Sequence, residues 1–392
     1  RMLAGNPEFY NLPRKFKISI NGCAGWCSYP EINDVGMTAV RKILGGKEEV
    51  GFSVRVGGGL SAEPFLATRL NAFVKWSQVL PVVRGIAEIF RDSSQLREHR
   101  ERARLKFLFL RHGWAADDFL RELQDRIGFA LEPAAEEHAP KDVYRDHAGI
   151  HQQKQLDYCY VGAAVLRGRI YPEQMQAAAD LADRFANGEL RTTNMQNLLI
   201  VNVPHRNTEI LAKELDAVGL HVNASPFWRG AIACSGTEFC KLAITETKSF
   251  SRWLVQELEE RLPEFDQDLK LHVTGCPNSC GQHWIADIGI EGKKLKVDGR
   301  MMDAYYFCLG GAVGRNQTIA RAIGYRCAAA DVPDAIERLL SSYLAGRHSG
   351  ENLRQFFARH NDEQLRGFLA GQPVEAVIRD VPPGPVPHGL EG

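Results

Sequence analysis

The sequence predicts an α+β protein in which one module of mixed sheets and helices occurs twice, as a pseudo-two-fold duplication. Two observations support this prediction. Related segments recur at a constant offset of 253 residues. In the first block of the chain, short strand-like runs are followed by a long stretch of helical periodicity, an order typical of α+β proteins.

The repeat contains four features in the same order and register. They are a strand, a G-C-x3-C turn, an I-x-D-[VI]-G strand and a glycine-rich loop. The matched residues, each pair 253 apart, are Lys17 and Lys270, Cys23 and Cys276, Cys27 and Cys280, Asp34 and Asp287, Gly57 and Gly310, and Gly58 and Gly311. Chance could align one pair of glycines, but not all four features in one register. The chain is therefore predicted to contain a duplicated fold.

The first block, residues 1–145, is predicted to begin with short strands and to continue with helices. The strands are expected at residues 17–20, 35–40 and 51–56. A glycine turn at residues 57–59 follows, and helical periodicity runs from about residue 64 to 128.

The second block, residues 146–220, follows a polar, loop-like stretch and has the pattern of a β-α-β-α unit. Strands are expected over residues 161–167 and 190–203, and helices over residues 172–187 and 207–218. Pro172 stands where the first of these helices begins, a position that proline favours.

The third block, residues 221–372, contains both short-spaced cysteine pairs, with a helix expected between them from about residue 238 to 261. Beyond it, residues 373–392 end in VPPGPVPHGLEG. This proline and glycine content predicts a disordered tail.

The composition is that of an ordinary globular protein. The 392 residues contain 48 Lys and Arg against 48 Asp and Glu, so net charge gives no reason to expect binding to nucleic acid. No stretch approaches the roughly 18 consecutive apolar residues that a membrane span requires. Nine cysteines are too few for a disulfide scaffold in a chain of this length. These features predict a cytoplasmic protein whose paired cysteines bind a metal or cluster.

Four cysteines form the pattern that is most informative about function. Cys234 and Cys240 are spaced C-x5-C, and Cys276 and Cys280 are spaced C-x3-C. Two turns that supply two thiolates each are suited to a [4Fe–4S] cluster. Structural zinc is the alternative, although zinc sites mostly use tighter C-x2-4-C spacings. The spacing favours the cluster.

The first copy of the repeat has only some twenty residues before its G-C-x3-C turn, and the chain starts within a polar stretch at Arg1. A C-x5-C segment is not present there. We therefore expect the N-terminal part of the protein to be missing, and the isolated chain to be close to inactive.

Several motifs together resemble the ferredoxin-dependent nitrite and sulfite reductase family, whose members contain sirohaem and a [4Fe–4S] cluster. These motifs are LPRKFK, EINDVG, VGGGLS, RTTNMQN, ACSGTEFC and TGCPNSCG, and they extend over nearly everything except the tail. The resemblance implies the sulfite/nitrite reductase haemoprotein fold. Residues 1–145 would then belong to a first sirohaem and substrate module, residues 146–220 to a ferredoxin-like half-domain, and residues 221–372 to a cluster and sirohaem module.

The resemblance also implies an activity and the residues that carry it. Sulfite is reduced to sulfide, or nitrite to ammonia, with six electrons from ferredoxin. Cys280 would ligate both the cluster and the sirohaem iron. Lys15 and Lys17 would hold the substrate anion, because alternation along a strand puts both on one face. Lysine at the second position favours sulfite, whereas the cluster segment resembles nitrite reductases equally well.

Sirohaem presents eight carboxylates, so its binding requires cations and backbone donors. The resemblance points to Arg14, Arg104 and Asn278, and glycines 57–59 would allow close approach to the ring. A solvated basic helix is the alternative for residues 97–106, and a plain turn for the glycines. Asn278 could equally support its own turn.

Other candidates are set aside at this stage. Arg191, Thr192, Gln196 and Asn197 belong to the second copy of a sirohaem-binding motif, and only one copy is expected to be used. Cys23 and Cys27 are interpreted as relics of the duplication, with a second cluster as the alternative. Cys159, Cys308 and Cys327 are expected to be buried. A monomer is expected.

Overall fold

The computed structural model describes residues 2–140, 146–297 and 299–372. The predicted disordered tail, residues 373–392, lies outside the described residues. The chain divides into two compact units, one formed by residues 1–145 and 312–319 and the other by residues 146–311 and 320–392. The finer boundary at residue 220 stays a prediction.

The first unit is a mixed sheet covered by helices. Its strands are β1 (Ile18–Asn21), β2 (Val35–Leu44), β3 (Lys47–Val56) and β4 (Thr68–Lys75), and its helices are α1 (Val79–Asp92), α2 (Phe107–Leu110) and α3 (Ala116–Ile127). β1 runs parallel to β2, and the remaining neighbours are antiparallel in the order β1-β2-β3-β4. Apolar residues of the sheet and of α1 and α3 form one core.

The second unit contains a half-domain with its own sheet and core. The half-domain is formed by β5 (Gly149–Gln152), β6 (Tyr158–Ala163), α4 (Pro172–Phe185), β7 (Leu190–Thr192), β8 (Leu198–Pro204) and α5 (Thr208–Ala217). The strand order is β5-β6-β8-β7, and all neighbours are antiparallel. Pro172 is the first residue of α4, as the sequence predicts.

The rest of the second unit is the cysteine-rich module. Its elements are α6 (Pro226–Gly230), β9 (Ala231–Ala233), α7 (Gly236–Phe239), α8 (Lys248–Arg261), β10 (Leu271–Thr274), β11 (Ile288–Val297), β12 (Arg300–Leu309), β13 (Arg321–Ala328), α9 (Val332–Gly346), α10 (Leu353–Arg359) and α11 (Asp362–Ala370). The strand order is β13-β12-β11-β10-β9, in which β9, β10 and β11 are mutually parallel neighbours.

The duplication is confirmed at the level of single hydrogen bonds. Asp34 accepts the backbone N–H of Lys17 through its carboxylate at 2.8 Å, and Asp287 accepts that of Lys270 at 2.7 Å. In both copies the carbonyl of this aspartate accepts the N–H of the first loop glycine at 2.9 Å. Strand register repeats as well, with Ile18 opposite Val35 in one copy and Leu271 opposite Ile288 in the other. The α+β fold with two copies of one module is therefore confirmed.

Several predicted elements are wrong in their extent. The strand predicted over residues 161–167 ends at Ala163, and a 3-10 turn occupies Leu166–Gly168. The helical stretch predicted from residue 64 contains β4, which pairs with β3. The helix predicted from residue 238 begins only at Lys248, because the Glu246 carboxylate accepts the N–H groups of Lys248, Ser249 and Phe250 and so caps α8. The strand predicted over residues 190–203 is broken by a turn in which Gln196 has a φ of 62°.

Within the described residues, the helices are too short or too polar to cross a bilayer.

Candidate functional site

The two cysteine pairs lie at the ends of neighbouring parallel strands. Cys234 follows β9 directly, and Cys276 comes two residues after the end of β10. Since β9 and β10 are paired in parallel, with Val273 opposite Ala233, their carboxyl ends lie at the same edge of the sheet. The Cys234 N–H donates to the carbonyl of Val273 at 3.1 Å. The sheet therefore brings both cysteine turns together.

Cys234 is held by groups from both turns. The Gly275 N–H donates to its Sγ at 3.2 Å, and the Thr247 hydroxyl donates to its carbonyl at 2.6 Å. The N–H groups of Ile244 and Thr245 donate to the carbonyl of Gly275, at 2.7 and 3.2 Å. An N–H aimed at a sulfur stabilises a thiolate, which is the form of cysteine that binds iron. The sequence analysis did not identify Thr247, and its position seven residues past Cys240 gives no recognisable signal.

Cys276 is the buried member of the set, with 7% of its surface exposed. Burial raises the pKa of its thiol above the ordinary value, and hydrogen bonds from Asn278 oppose that rise. The thiolates of Cys234 and Cys240 are near enough to raise the pKa of Cys276 further. Three of the predicted ligands are thus within electrostatic range of one another, and Asn278 bonds to one of them.

The donor set consists of four thiols, which suit a [4Fe–4S] cluster and which a zinc ion can also take. Cys240 is half-buried, Cys280 is exposed, and no cysteine in the described part of the chain forms a disulfide. In the same part of the chain, no three His, Cys, Asp or Glu side chains are grouped closely enough to hold one metal ion. Zinc needs four sulfurs at about 2.3 Å from one point, whereas a cube distributes four thiolates over four iron atoms. The ligation itself stays a prediction.

We expect Gly236→Ala to destabilise the C-x5-C segment more than an ordinary glycine substitution. Gly236 has a φ of 61°, and an added Cβ would lie 2.7 Å from the backbone nitrogen of Thr247. Gly350 is the matched control, because its φ is 74° and no atom lies within 4 Å of its added Cβ. Gly350→Ala should cost about 1 kcal/mol of unfolding free energy, and Gly236→Ala about 1–3 kcal/mol more. Equal losses in denaturant unfolding of the two variants would show that the close approach is unimportant.

The predicted substrate lysines lie in the first unit, just before β1 rather than within it. Lys15 is exposed, whereas Lys17 is half-buried and its Nζ donates to the carbonyl of Ile32 at 2.8 Å. Backbone pairing reaches Lys17, since the Val35 N–H donates to its carbonyl at 3.0 Å. Arg14 is exposed and donates to the carbonyl of Arg100 at 2.9 Å. The predicted strand beginning at residue 17 therefore starts one residue later.

Arg104 lies next to Gly59 of the glycine loop. The Arg104 guanidinium binds the buried Asp34 carboxylate through two bonds of 2.8 and 3.2 Å. An added Cβ at Gly58 would lie 2.4 Å from the carbonyl of Glu31, and one at Gly59 would lie 3.0 Å from Arg104 Nη2. Close packing therefore explains the glycines at positions 58 and 59 without a cofactor. Arg104 already has a carboxylate partner. Their roles toward a cofactor stay predictions.

Lys106 lies beneath the glycine loop and was not identified from the sequence. Its side chain is 1% exposed, and its Nζ donates to the carbonyls of Leu60, at 2.7 Å, and Glu63. The interpretation of residues 97–106 as a solvated helix is wrong here, since short 3-10 turns replace the helix and Leu105 is buried. The sequence signal that could have identified Lys106 as buried is its position between the apolar residues Leu105 and Phe107.

Lys106 should make the free energy of unfolding depend on pH in the alkaline range. Burial lowers the pKa of its ammonium from 10.5 to about 8. Between these values the unfolded state binds more protons, so the free energy of unfolding should rise with pH by up to about 1.4 kcal/mol per unit. We expect Lys106→Met to lose this rise, as measured by denaturant unfolding from pH 7.5 to 10.5. Parallel pH curves for the two proteins would contradict the assignment.

Residues set aside in the sequence analysis have structural partners. The Gln196 side chain bonds to both the carbonyl and the N–H of Ala233, next to Cys234. Asn197 accepts the N–H of Val165 at 3.0 Å and is buried. Cys23 and Cys27 place their sulfurs 3.5 Å apart. Cys159, Cys308 and Cys327 are buried, as expected.

Two family models match the chain. The model described as "Nitrite and sulphite reductase 4Fe-4S domain" matches residues 1–131 and 225–369. The model described as "Nitrite/Sulfite reductase ferredoxin-like half domain" matches residues 151–218, the segment that contains most of the β5–β8 sheet.

Individual proteins of known name are similar over almost the whole chain. An assimilatory ferredoxin-dependent nitrite reductase of Haloferax mediterranei is 35% identical over 93% of this chain and 64% of its own length. A sulfite reductase (ferredoxin) of Mycolicibacterium paratuberculosis is 34% identical over 93% of this chain and 65% of its own length. The solved structure of the Mycobacterium tuberculosis NirA protein is 33% identical, with a TM-score of 0.86 over 92% of this chain and 66% of that one. The chain thus spans slightly less than two thirds of these relatives.

Proposed function

The chain belongs to the nitrite and sulphite reductase family, and we propose that it forms part of an enzyme that reduces sulfite to sulfide with six electrons. The observation that carries this proposal is the convergence of two cysteine turns at the ends of β9 and β10, inside the segment matched by the 4Fe-4S model. Reduction of nitrite to ammonia at the same site is the alternative.

In this proposal Cys234, Cys240, Cys276 and Cys280 would hold the [4Fe–4S] cluster, and Cys280 would also ligate the sirohaem iron. With both groups bound, the site would supply one-electron transfer to the substrate. The chain's own task is to position the ligands. The N–H of Gly275 and the hydrogen bonds of Asn278 serve that purpose for Cys234 and Cys276.

Lys15 and Lys17 are proposed to hold the substrate anion and to assist its protonation as oxygen leaves as water. A fixed ammonium stabilises developing negative charge without reorganisation at the moment of reaction. Lys17 is already oriented by the carbonyl of Ile32, whereas Lys15 is exposed and free to turn toward an anion. Arg14, Arg104, Asn278 and glycines 57–59 are proposed to contact the sirohaem.

The choice of sulfite rests on charge. Sulfite carries more negative charge than nitrite, and lysine at position 17 adds a second cation to the pair. The named relatives include both alternatives, since one is a nitrite reductase and another is a sulfite reductase. We propose ferredoxin as the electron donor because both of these names specify it. A cytoplasmic monomer completes the proposal.

The optical spectrum of the active protein tests the proposal directly. Sirohaem coupled to a cluster should give strong Soret and red-region bands. The cube should contribute four iron atoms and four acid-labile sulfides per protein. The bands should change on adding sulfite. A colourless protein that contains zinc would favour a zinc-stabilised interaction module instead. Iron and sulfide without turnover would indicate a cofactor-holding protein that is not an enzyme.

A further inference from the structure

A group of cationic side chains lies in the second unit, whereas the predicted substrate lysines belong to the first unit. A cavity of about 200 Å³ is lined by Arg167, Arg169 and Arg252, together with Tyr171, Gln174 and Trp228. The first two arginines follow β6, and Arg252 projects from α8. Three arginine side chains therefore line one partly open cavity, although none of them belongs to a motif assigned above.

Arg167 is the most unusual of the three. It is 6% exposed, and no carboxylate in the described part of the chain forms an ion pair with it. Its guanidinium makes one long bond, to the Tyr171 hydroxyl at 3.4 Å. Burying a cation without a counter-ion is costly. An arginine in this state indicates that an anion completes the site.

The backbone of Arg167 has a strained conformation next to the cavity. Its φ is 56°, in the left-handed region that non-glycine residues rarely adopt. The Lys248 ammonium donates to the Arg167 carbonyl and, at 2.8 Å, to the carbonyl of Ala233. Such strain persists only where surrounding bonds hold it, and it concentrates at ligand sites.

The charge around the cavity remains positive after its carboxylates are counted. Glu238 pairs with Arg169 at 2.5 Å, and Glu246 acts on Arg169 at longer range. Glu246 is otherwise occupied as the cap of α8. Arg252 has no ion pair with any described residue. Two positive charges, those of Arg167 and Arg252, are therefore left for a ligand.

Size and geometry limit what the ligand can be. Pockets for drug-sized molecules are typically about 300–1,000 Å³, so a cavity of about 200 Å³ suits a small ion with a few waters. Arginine offers planar pairs of N–H donors that match the oxygens of an oxyanion. The positive end of the α4 dipole, at Pro172, lies beside the cavity and favours an anion too.

We propose that this cavity binds a small oxyanion carrying two negative charges, of the sulfate and phosphate class. Arg167 and Arg252 supply the charge, and Arg169, held by Glu238, supplies further N–H donors. The proposed site contains neither Lys15 nor Lys17, and its argument does not rest on the proposed reduction.

Isothermal titration calorimetry of the chain with inorganic sulfate and phosphate tests the proposal, at an ionic strength held constant with sodium chloride. We expect one site per chain with a dissociation constant of about 1 mM or lower. Arg252→Gln should weaken binding about tenfold or more, since a charge-assisted contact is lost. Arg252 is exposed on α8, so this variant should fold normally. Nitrate, a monoanion of similar size, should bind at least tenfold more weakly than sulfate.

Two comparisons separate this site from others. Arg206→Gln is the matched control, because Arg206 is an exposed arginine of the same unit that does not line the cavity, and it should bind sulfate normally. The double variant Lys15→Gln/Lys17→Gln should also bind normally, which distinguishes this site from the proposed substrate site. The proposal is overturned if no saturable binding is found, if Arg252→Gln and Arg167→Gln bind as well as the parent chain, or if nitrate binds as tightly as sulfate.

Discussion

Replacing Cys280 by serine is expected to abolish six-electron reduction and to remove the spectroscopic coupling between sirohaem and the cluster. In the proposed site Cys280 ligates both centres, and a serine hydroxyl ionises far less readily than a thiol. Cys280 is exposed on the turn after β10, so the substitution removes a ligand without creating a cavity in the core. Turnover of sulfite and the Soret and red-region bands provide the measurement.

Cys159→Ser is the matched control for this prediction. Cys159 is buried on β6, and its thiol donates to the Gln152 side chain at 3.7 Å, a bond that a serine hydroxyl can also make. This variant should keep both the spectrum and the turnover. If the Cys280 variant instead retained the parent spectrum and activity, the assignment of Cys280 as the bridging ligand would be wrong.

The repeat predicted more of the fold than local periodicity did. An offset of 253 residues aligns the strands, the aspartates and the loop glycines, and the observed hydrogen bonds follow the same offset. This strand register is encoded in the sequence, because each copy closes an equivalent loop onto its own sheet. The missed strand β4 corresponds to β13 at this offset, so the repeat contained the information that helical periodicity obscured.

Predictions failed where a side chain bonds to a backbone group distant in sequence. The helix predicted from residue 238 is shortened because Glu246 caps α8 and Thr247 turns back to the carbonyl of Cys234. Lys106 can be buried because carbonyls of the loop after Gly59 accept hydrogen bonds from its ammonium group. Neither contact follows from spacing or hydropathy, since both depend on how the loops close in three dimensions.

The same strand can also face different surroundings in the two copies. Leu271 and Val273 on β10 are buried, with β9 alongside. The matching residues Ile18 and Ile20 on β1 are 39% and 53% exposed. In β1 it is Ser19 and Asn21 that are buried. Sequence patterns predicted both strands but not which face of each strand is buried. Burial depends on neighbouring elements that the repeat does not specify.

The second large effect concerns anion selection. Lys17→Asn is expected to lower kcat/KM for sulfite by about 10²-fold, the effect typical of removing one group that stabilises transition-state charge. The loss for nitrite should be smaller, since nitrite carries less charge for the ammonium to stabilise. The ratio of the two kcat/KM values should therefore move toward nitrite by about tenfold.

Steady-state rates with both substrates, at one pH and ionic strength, measure this ratio. Lys47→Asn is the control, because Lys47 is an exposed lysine at the start of β3 and its removal changes the net charge equally. That variant should leave the ratio unchanged. The Lys17 ammonium also bonds to the carbonyl of Ile32, so a purely structural role would lower both rates by one common factor. A shifted ratio thus requires that the Lys17 charge acts on the substrate, and an unshifted one excludes Lys17 from anion selection.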